Sequence, residues 1–220
     1  MINKALLAEI CEVAGAPGHE QRVREIVLRE VTSLVDEIKI DNLGNLIAIK
    51  KGKEGKRVMI GAHMDEIGFI VTYIDDNGFI YFHTLGGFDP KTLTAQRVII
   101  HGKQDVMGVM GSKPIHLMNA ADRAKVPTIK DYFIDTGRTK KDLEKIISVG
   151  DTITRDRKMI EMGDCLNCKS LDNRVAVFIL IEMFREMKKK PPYDVYGVFT
   201  VQEEIGIRGA NVSALEINPD

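Results

Sequence analysis

Five ionisable residues stand where strands or a helix begin or end: His63 and Asp65 in VMIGAHMDEIGFIV, Asp172 in KSLDNRVAVFIL, and Glu203 and Glu204 in VFTVQEEIGIRGA. Imidazole nitrogen and carboxylate oxygen are the donors of zinc-type catalytic sites. A short aspartate at a helix start suits a bridge between two ions standing about 3.5–4 Å apart. Adjacent glutamates leave the backbone in different directions, so one can bind metal while the other faces a water as general base. Asp65, two residues from His63, suits a hydrogen bond to the second ring nitrogen, fixing its tautomer. Each residue also has a plain structural reading. His63 is then a hydrogen-bonded strand-end histidine, Asp65 a turn residue, Asp172 an N-cap, and the glutamates solvated charges opening a loop.

The elements that must position these groups are α/β in type at both ends of the chain. Ile2, Leu6, Ile10 and Val13 share one helical face, and Val23, Ile26, Val27, Val31 and Leu34 share another. EIKID and NLIAIKK flank a turn at Asn42–Asn45, and RVMIGA reads as a short buried strand ending at His63. From about residue 67 the texture is antiparallel β, with a hairpin at Asp76-Asn77-Gly78, short strands RVIIHG and DVMGVMGS, and one helix, TKKDLEKII. From about residue 164, LDNRVAVFILIEMFREMKKK reads as a helix buried on most faces and stopped by Pro191-Pro192. A strand, YDVYGVFTVQEE, and the start of a helix, IRGANVSAL, follow. The expected organisation is an α/β domain in two parts, residues 1–66 and 164–220, with a small β module inserted over 67–163. His63 and the glutamate pair then lie past the carboxyl ends of strands, where open α/β sheets bind ligands.

Composition excludes other classes. The 220 residues carry a net charge of -1, which points to neither nucleic acid nor an anionic membrane. No apolar run reaches the roughly 18 residues of a membrane span, and the N-terminus does not read as a signal peptide. Three cysteines cannot form a fully paired disulfide framework, so a reduced, cytoplasmic protein is the expectation. Cys165 and Cys168 lack the partners of a structural zinc site and read as small, semi-buried residues. His19, His83, His101 and His116 lack partners at ligand spacing. No phosphate loop or G-x-S-x-G elbow occurs. Glu203 and Glu204, being neighbours, make a poor glycosidase acid–nucleophile pair.

Together GAHMDEIGFIV, LGGFDPKTLTAQRVIIHGK, GVMGSKPIHLM, KSLDNRVAVFIL and VQEEIGIRGA resemble the TET-type metallo-aminopeptidases, the deblocking and glutamyl aminopeptidase family with co-catalytic metal. The resemblance implies a zinc-peptidase-like mixed sheet flanked by helices, with an inserted barrel-like domain that supports dimers and dodecamers. It implies two divalent ions per subunit, zinc or cobalt, and removal of N-terminal residues from short peptides. By the same resemblance His63 binds one metal, Asp172 bridges both, Glu204 binds the second, Glu203 is the general base and Asp65 orients His63. The family places two further ligands, an aspartate and a histidine, on a segment past LEINPD. The chain therefore reads as C-terminally truncated, its sheet left with an exposed apolar edge. The alternatives are an inactive assembly or binding homologue and, from a glucanase label on some relatives, a glycan hydrolase.

Overall fold

The computed structural model describes residues 2–220. They form two compact units, one comprising the chain up to Glu66 together with Lys158–Asp220, the other Ile67–Arg157. In chain order the first unit opens with helices α1 (Lys4–Glu12) and α2 (Gln21–Val31) and strands β1 (Glu37–Ile40), β2 (Leu46–Lys50) and β3 (Arg57–His63). The second holds β4 (Gly68–Ile74), β5 (Ile80–Leu85), β6 (Arg97–His101), β7 (Asp105–Ser112), α3 (Ala120–Ala124), β8 (Tyr132–Asp135), α4 (Lys140–Leu143) and β9 (Thr152–Arg155). The chain then adds β10 (Ile160–Met162), β11 (Cys165–Asn167), α5 (Leu171–Glu186), β12 (Asp194–Thr200) and α6 (Arg208–Ile217) to the first unit. Residues 158–163, read from the sequence as the end of the β module, thus belong to the α/β unit.

Local chemistry starts these elements. The Asn3 side chain caps α1 by accepting the Leu6 N–H at 3.1 Å. Asp41 Oδ1 accepts the N–H groups of Leu43, Gly44 and Asn45 and so closes the β1–β2 hairpin. Gly44 sits there at φ +107, a conformation costly for any residue with a Cβ.

The α/β sheet has the order β1-β2-β12-β3, with β12 antiparallel to β2 and parallel to β3. The apolar faces of α1, α2 and α5 pack with Leu46, Ala48 and Phe199 in the main core. Ile217 of α6 packs with Ile47, Ile49 and Val198 in a second cluster. The two clusters alternate along β2 and β12, as a period of two along a strand requires, so the sheet is flanked by helices on both faces. At Gly197 a Cβ would stand 2.4 Å from the Phe184 ring, so α5 reaches the sheet only because this position is glycine.

Two burial expectations need correction. The strand β3 is not buried: Val58 and Ile60 are 40% and 39% exposed, because β3 is an edge strand paired on one side only. Nor is α5 buried on most faces, since Val175 and Ile179 are exposed. Its core side is the Val177, Phe178, Leu180, Ile181 and Phe184 stripe, and the apolar run hides an ordinary two-sided helix.

In the second unit six strands close a barrel in the order β4-β5-β8-β7-β6-β9. Inward residues alternate along each strand, among them Phe69, Val71, Ile80, Phe82, Val98, Ile100 and Ile153. The β4–β5 turn forms where Asp75 Oδ1 accepts the N–H groups of Asn77 and Phe79, with Gly78 at φ +88. The helix expected over TKKDLEKII is one turn, α4. His101 does have partners: its Nδ1 lies 2.8 Å from Asp105 Oδ1 and its Nε2 2.9 Å from Thr154 Oγ1. Asp105 is its direct cross-strand neighbour on β7. Thr154 is buried, so this is a polar tie between three strands and not an accessible nucleophile.

Candidate metal centre

The parallel pairing of β3 with β12 sets Thr200 beside His63, so both chains leave the sheet at the same level. The N–H of Met64 donates to the Thr200 carbonyl at 2.8 Å and carries the pairing one residue further. Past this point both segments turn polar. His63, Asp65 and Glu66 are buried, and Glu203 and Glu204 are partly buried.

Asp65 is the hub. Its two carboxylate oxygens accept the backbone N–H groups of Glu203 and Glu204, each at 3.0 Å. Its backbone carbonyl lies 3.0 Å from His63 Nδ1, and its own Oδ1 is 3.4 Å from the same nitrogen. A carbonyl only accepts, so Nδ1 carries a proton and Nε2 faces the site. Burial opposes ionisation of Asp65, but the hydrogen bond from His63 and the N–H groups of Glu204 and Glu203 outweigh it and hold the carboxyl below its ordinary value. A carboxyl depressed by folding stabilises the fold above its unfolded value of about 4, and that contribution disappears as pH falls through the folded value. Asp65→Asn keeps one acceptor oxygen and turns an amide NH2 toward the other backbone N–H. The expected cost is about 1–3 kcal/mol, read as a shift in urea midpoint, and an unshifted midpoint would show that the clamp contributes nothing.

His63 Nε2 meets only acceptors, Asp172 Oδ1 at 3.2 Å and Glu203 Oε2 at 3.7 Å. Burial would pull the imidazolium down, but Asp65, Glu203 and Asp172 prevail and raise it above its ordinary value. Donor atoms of His63, Glu203 and Glu204 all lie within 4.8 Å of one another. Glu204 is pushed up, first by burial and then, against His63, by the charges of Asp65, Glu203 and Asp172.

Asp172 reaches His63 but does not join that three-donor set. Its side chain is 89% exposed, and its backbone is extended (φ -80, ψ 109), as is not normal inside a helix. Its carboxylate faces His63 and, among the described residues, accepts no helix N–H, so Asp172 does not act as an N-cap. The Asp172–Asn173 peptide is cis.

Four carboxylates thus surround one imidazole, and among the described residues no Lys or Arg is ion-paired with any of them. This donor set fits a divalent cation. A neutral Nε2 lone pair and carboxylate oxygens repel one another until a cation sits between them, and imidazole with carboxylate is the chemistry of zinc, cobalt or manganese binding. The thiols do not fit. Burial pushes Cys11 up to about 12 and also raises Cys168, so neither is a ready thiolate. Cys165 is exposed, not semi-buried as expected.

Several positioning residues carry no sequence signal as a site. Glu20, buried in the turn before α2, accepts Gly18 N–H at 2.7 Å and Gln202 N–H at 3.0 Å. It holds Gln202 at φ +55, where the chain turns toward the glutamates. Asn45 Oδ1 accepts Val201 N–H at 2.9 Å while its Nδ2 donates to the Gly209 carbonyl. The spacing of Glu20 and Asn45 from the glutamates is over 150 residues, and only the fold joins them.

A sequence profile of the family described as M42 glutamyl aminopeptidase matches residues 44–220. A relative in Acetivibrio thermocellus is 39% identical over 216 residues, which cover 98% of this chain and 63% of the relative. The lysyl aminopeptidase of Pyrococcus furiosus is 33% identical over 228 residues, 100% of this chain and 65% of that protein. The chain therefore spans a little under two-thirds of the length of these curated relatives. Among solved structures, a TET aminopeptidase from a marine-sediment Thaumarchaeota archaeon superposes with TM-score 0.94 at 35% identity, covering 99% of this chain and 64% of that one. The TET1 peptidase of Pyrococcus horikoshii, described as assembling into a tetrahedron or a large octahedral shell, gives 0.89 at 31%, covering 99% and 66%. A Thermotoga maritima protein described as an endoglucanase gives 0.81 at 33%, covering 97% and 62%. Among the described residues no helix is long and apolar enough to cross a membrane.

Proposed function

The chain belongs to the M42 glutamyl aminopeptidase family, and on that premise we propose that it forms the catalytic core of a metal-dependent aminopeptidase acting on short peptides. The observation that carries this reading is the set of four carboxylates around His63 with, among the described residues, no Lys or Arg ion-paired to them. In this reading His63, Glu204 and Asp172 would hold two divalent ions, zinc or cobalt, with Asp172 as the ligand they share. When bound, such ions supply Lewis acidity, polarising a scissile carbonyl and acidifying water. Asp65 holds the His63 ring with Nδ1 protonated and Nε2 turned to the site, and fixes the backbone of both glutamates. Glu203 takes a proton from water as it attacks the carbonyl and returns it to the leaving amine.

The endoglucanase description of the Thermotoga neighbour brings a second reading, glycan hydrolysis. It requires two carboxyl groups flanking a sugar, whereas both glutamates here converge on one imidazole within 4.8 Å. Self-association through the barrel, into dimers and a larger shell, is proposed from the assembly of the Pyrococcus horikoshii relative.

Chelation tests the central claim. Exhaustive EDTA treatment is expected to abolish release of p-nitroaniline from aminoacyl p-nitroanilides, and zinc or cobalt to restore it. Activity that survives with metal absent by mass spectrometry would remove the reading, and chelator-insensitive release of reducing sugar would replace it with the glycan one.

A further inference from the structure

Beneath the candidate site lies a cluster of buried charge that the proposed reaction does not use. Glu66, one residue past Asp65, is buried, and so are Lys169, Ser170 and Arg174. Glu66 Oε1 receives Lys169 Nζ at 2.6 Å, and Oε2 receives Ser170 Oγ at 2.8 Å. Arg174 Nη2 stands 3.9 Å from Oε1. The Glu66 backbone N–H donates to the Gly15 carbonyl at 2.9 Å. Burying these charges is expensive unless they are paired in good geometry, and burial lowers Lys169 below its ordinary value despite Glu66.

The connectivity of this cluster is specific. One end is attached to the segment that carries His63 and Asp65. The other is attached to residues 169–174, which carry Asp172. The Asp172 side chain is exposed and, among the described residues, its Oδ1 stands 3.2 Å from His63 Nε2 with no hydrogen bond of its own to hold it. Its position is therefore set largely by its own backbone, which Lys169 and Ser170 tie down on one side and Arg174 on the other.

We propose that Glu66 and Lys169, with Ser170 and Arg174, form a positioning clamp that fixes Asp172 opposite His63. This rests on the reading that His63 and Asp172 hold metal. The clamp replaces the hydrogen bonds that an exposed carboxylate lacks, and it does so through the two chain segments and not through the ligands. Partners one step removed from metal ligands typically change affinity 10–100-fold when lost.

Two variants separate positioning from stability. Glu66→Gln keeps the shape and removes the charge. Ser170→Ala removes one tie to Oε2 and leaves no new unpaired buried cation, so it perturbs folding less than Glu66→Gln, which strips Lys169 of its counter-charge. In the 220-residue chain, Co2+ titration followed by visible absorption is expected to show about tenfold weaker binding in each. Ser170→Ala added to Glu66→Gln is expected to cost little more, because both act through one carboxylate. Long-range 1H–15N spectra of the metal-free chain supply the second readout. In wild type His63 should show a protonated Nδ1 and an Nε2 shift perturbed by Asp172, and that perturbation should be lost in both variants. Variants that lower the unfolding midpoint but keep the His63 signature and Co2+ affinity would overturn the clamp and leave a structural ion pair. A wild-type chain that shows the signature but takes up no Co2+ would sink the metal reading alone. The signature would then decide the clamp, its loss in the variants supporting it and its retention overturning it.

Discussion

Glu203→Gln is expected to lower aminopeptidase turnover by about two to four orders of magnitude, the usual contribution of a positioned acid–base group. Divalent metal content, measured by mass spectrometry, should be retained. Gln keeps the side-chain length and the backbone N–H that Asp65 accepts, so the loop survives. What it loses is a basic oxygen, and Glu203 Oε2 stands only 3.7 Å from His63 Nε2. The companion variant Glu204→Gln should reverse the pattern, losing metal and activity together. Burial and neighbouring charge already push Glu204 up, so its ionised form relies on a cation for compensation. If Glu203→Gln sheds metal and Glu204→Gln keeps it, the two roles are exchanged. If both retain full turnover, neither glutamate takes part in the chemistry.

The candidate residues His63, Asp65, Glu203 and Glu204 are legible in the sequence because they follow apolar runs that stop abruptly, as strand ends do, and Asp172 because it precedes one. That reasoning locates His63 and Glu203–Glu204 at the ends of β3 and β12, and the parallel register of those strands sets Thr200 beside His63. It does not reveal that the Asp65 carboxylate receives both glutamate N–H groups, because that contact spans about 140 residues and requires the two strands to be neighbours. It also misjudges exposure. Val58 and Ile60 look buried in RVMIGA, but burial of a strand depends on its rank in the sheet, and β3 lies at the edge. Glu66, Lys169 and Arg174 escape the pattern for the opposite reason. Charged residues are mostly exposed and rarely fully buried without a partner, so a pattern reading assigns them to solvent, and only packing shows them paired beneath the site. His101 escapes it because its partner Asp105 sits across a tight β6–β7 turn, a spacing that has meaning only once the hairpin is known.

Arg174→Met is the substitution expected to cost the most stability. The guanidinium is fully buried, and its Nη1 donates to the carbonyls of Ile10 at 2.6 Å and Val13 at 3.2 Å. Those carbonyls close the C-terminal end of α1, where helix acceptors have no intrahelical donor. Methionine fills similar volume, so the change reads polar loss and not a cavity. Two effects oppose. Arg174 pays full desolvation, which lowers its pKa, and its Nε and Nη2 have no hydrogen-bond partner among the described residues. Removing it relieves that cost. Against this, two acceptors become orphans in the core, and the charge 3.9 Å from Glu66 is lost while Glu66 stays buried. Breaking a buried charged arrangement from one side typically costs about 3–5 kcal/mol, so the orphaned groups should outweigh the relief. For a chain of this length that corresponds to a fall of roughly 6–20 °C in melting temperature. Gly15→Ala provides an independent check, since its Cβ would lie 2.6 Å from Arg174 Nη2 and 2.8 Å from Val23. It should destabilise wild type more than the Arg174→Met background, where the flexible thioether can yield. Arg174→Met melting within about 2 °C of wild type, a shift worth no more than about 1 kcal/mol, would mean that desolvation cancels the two hydrogen bonds. Arg174 would then be held for the placement of Asp172, two residues away, and not for the stability of the unit.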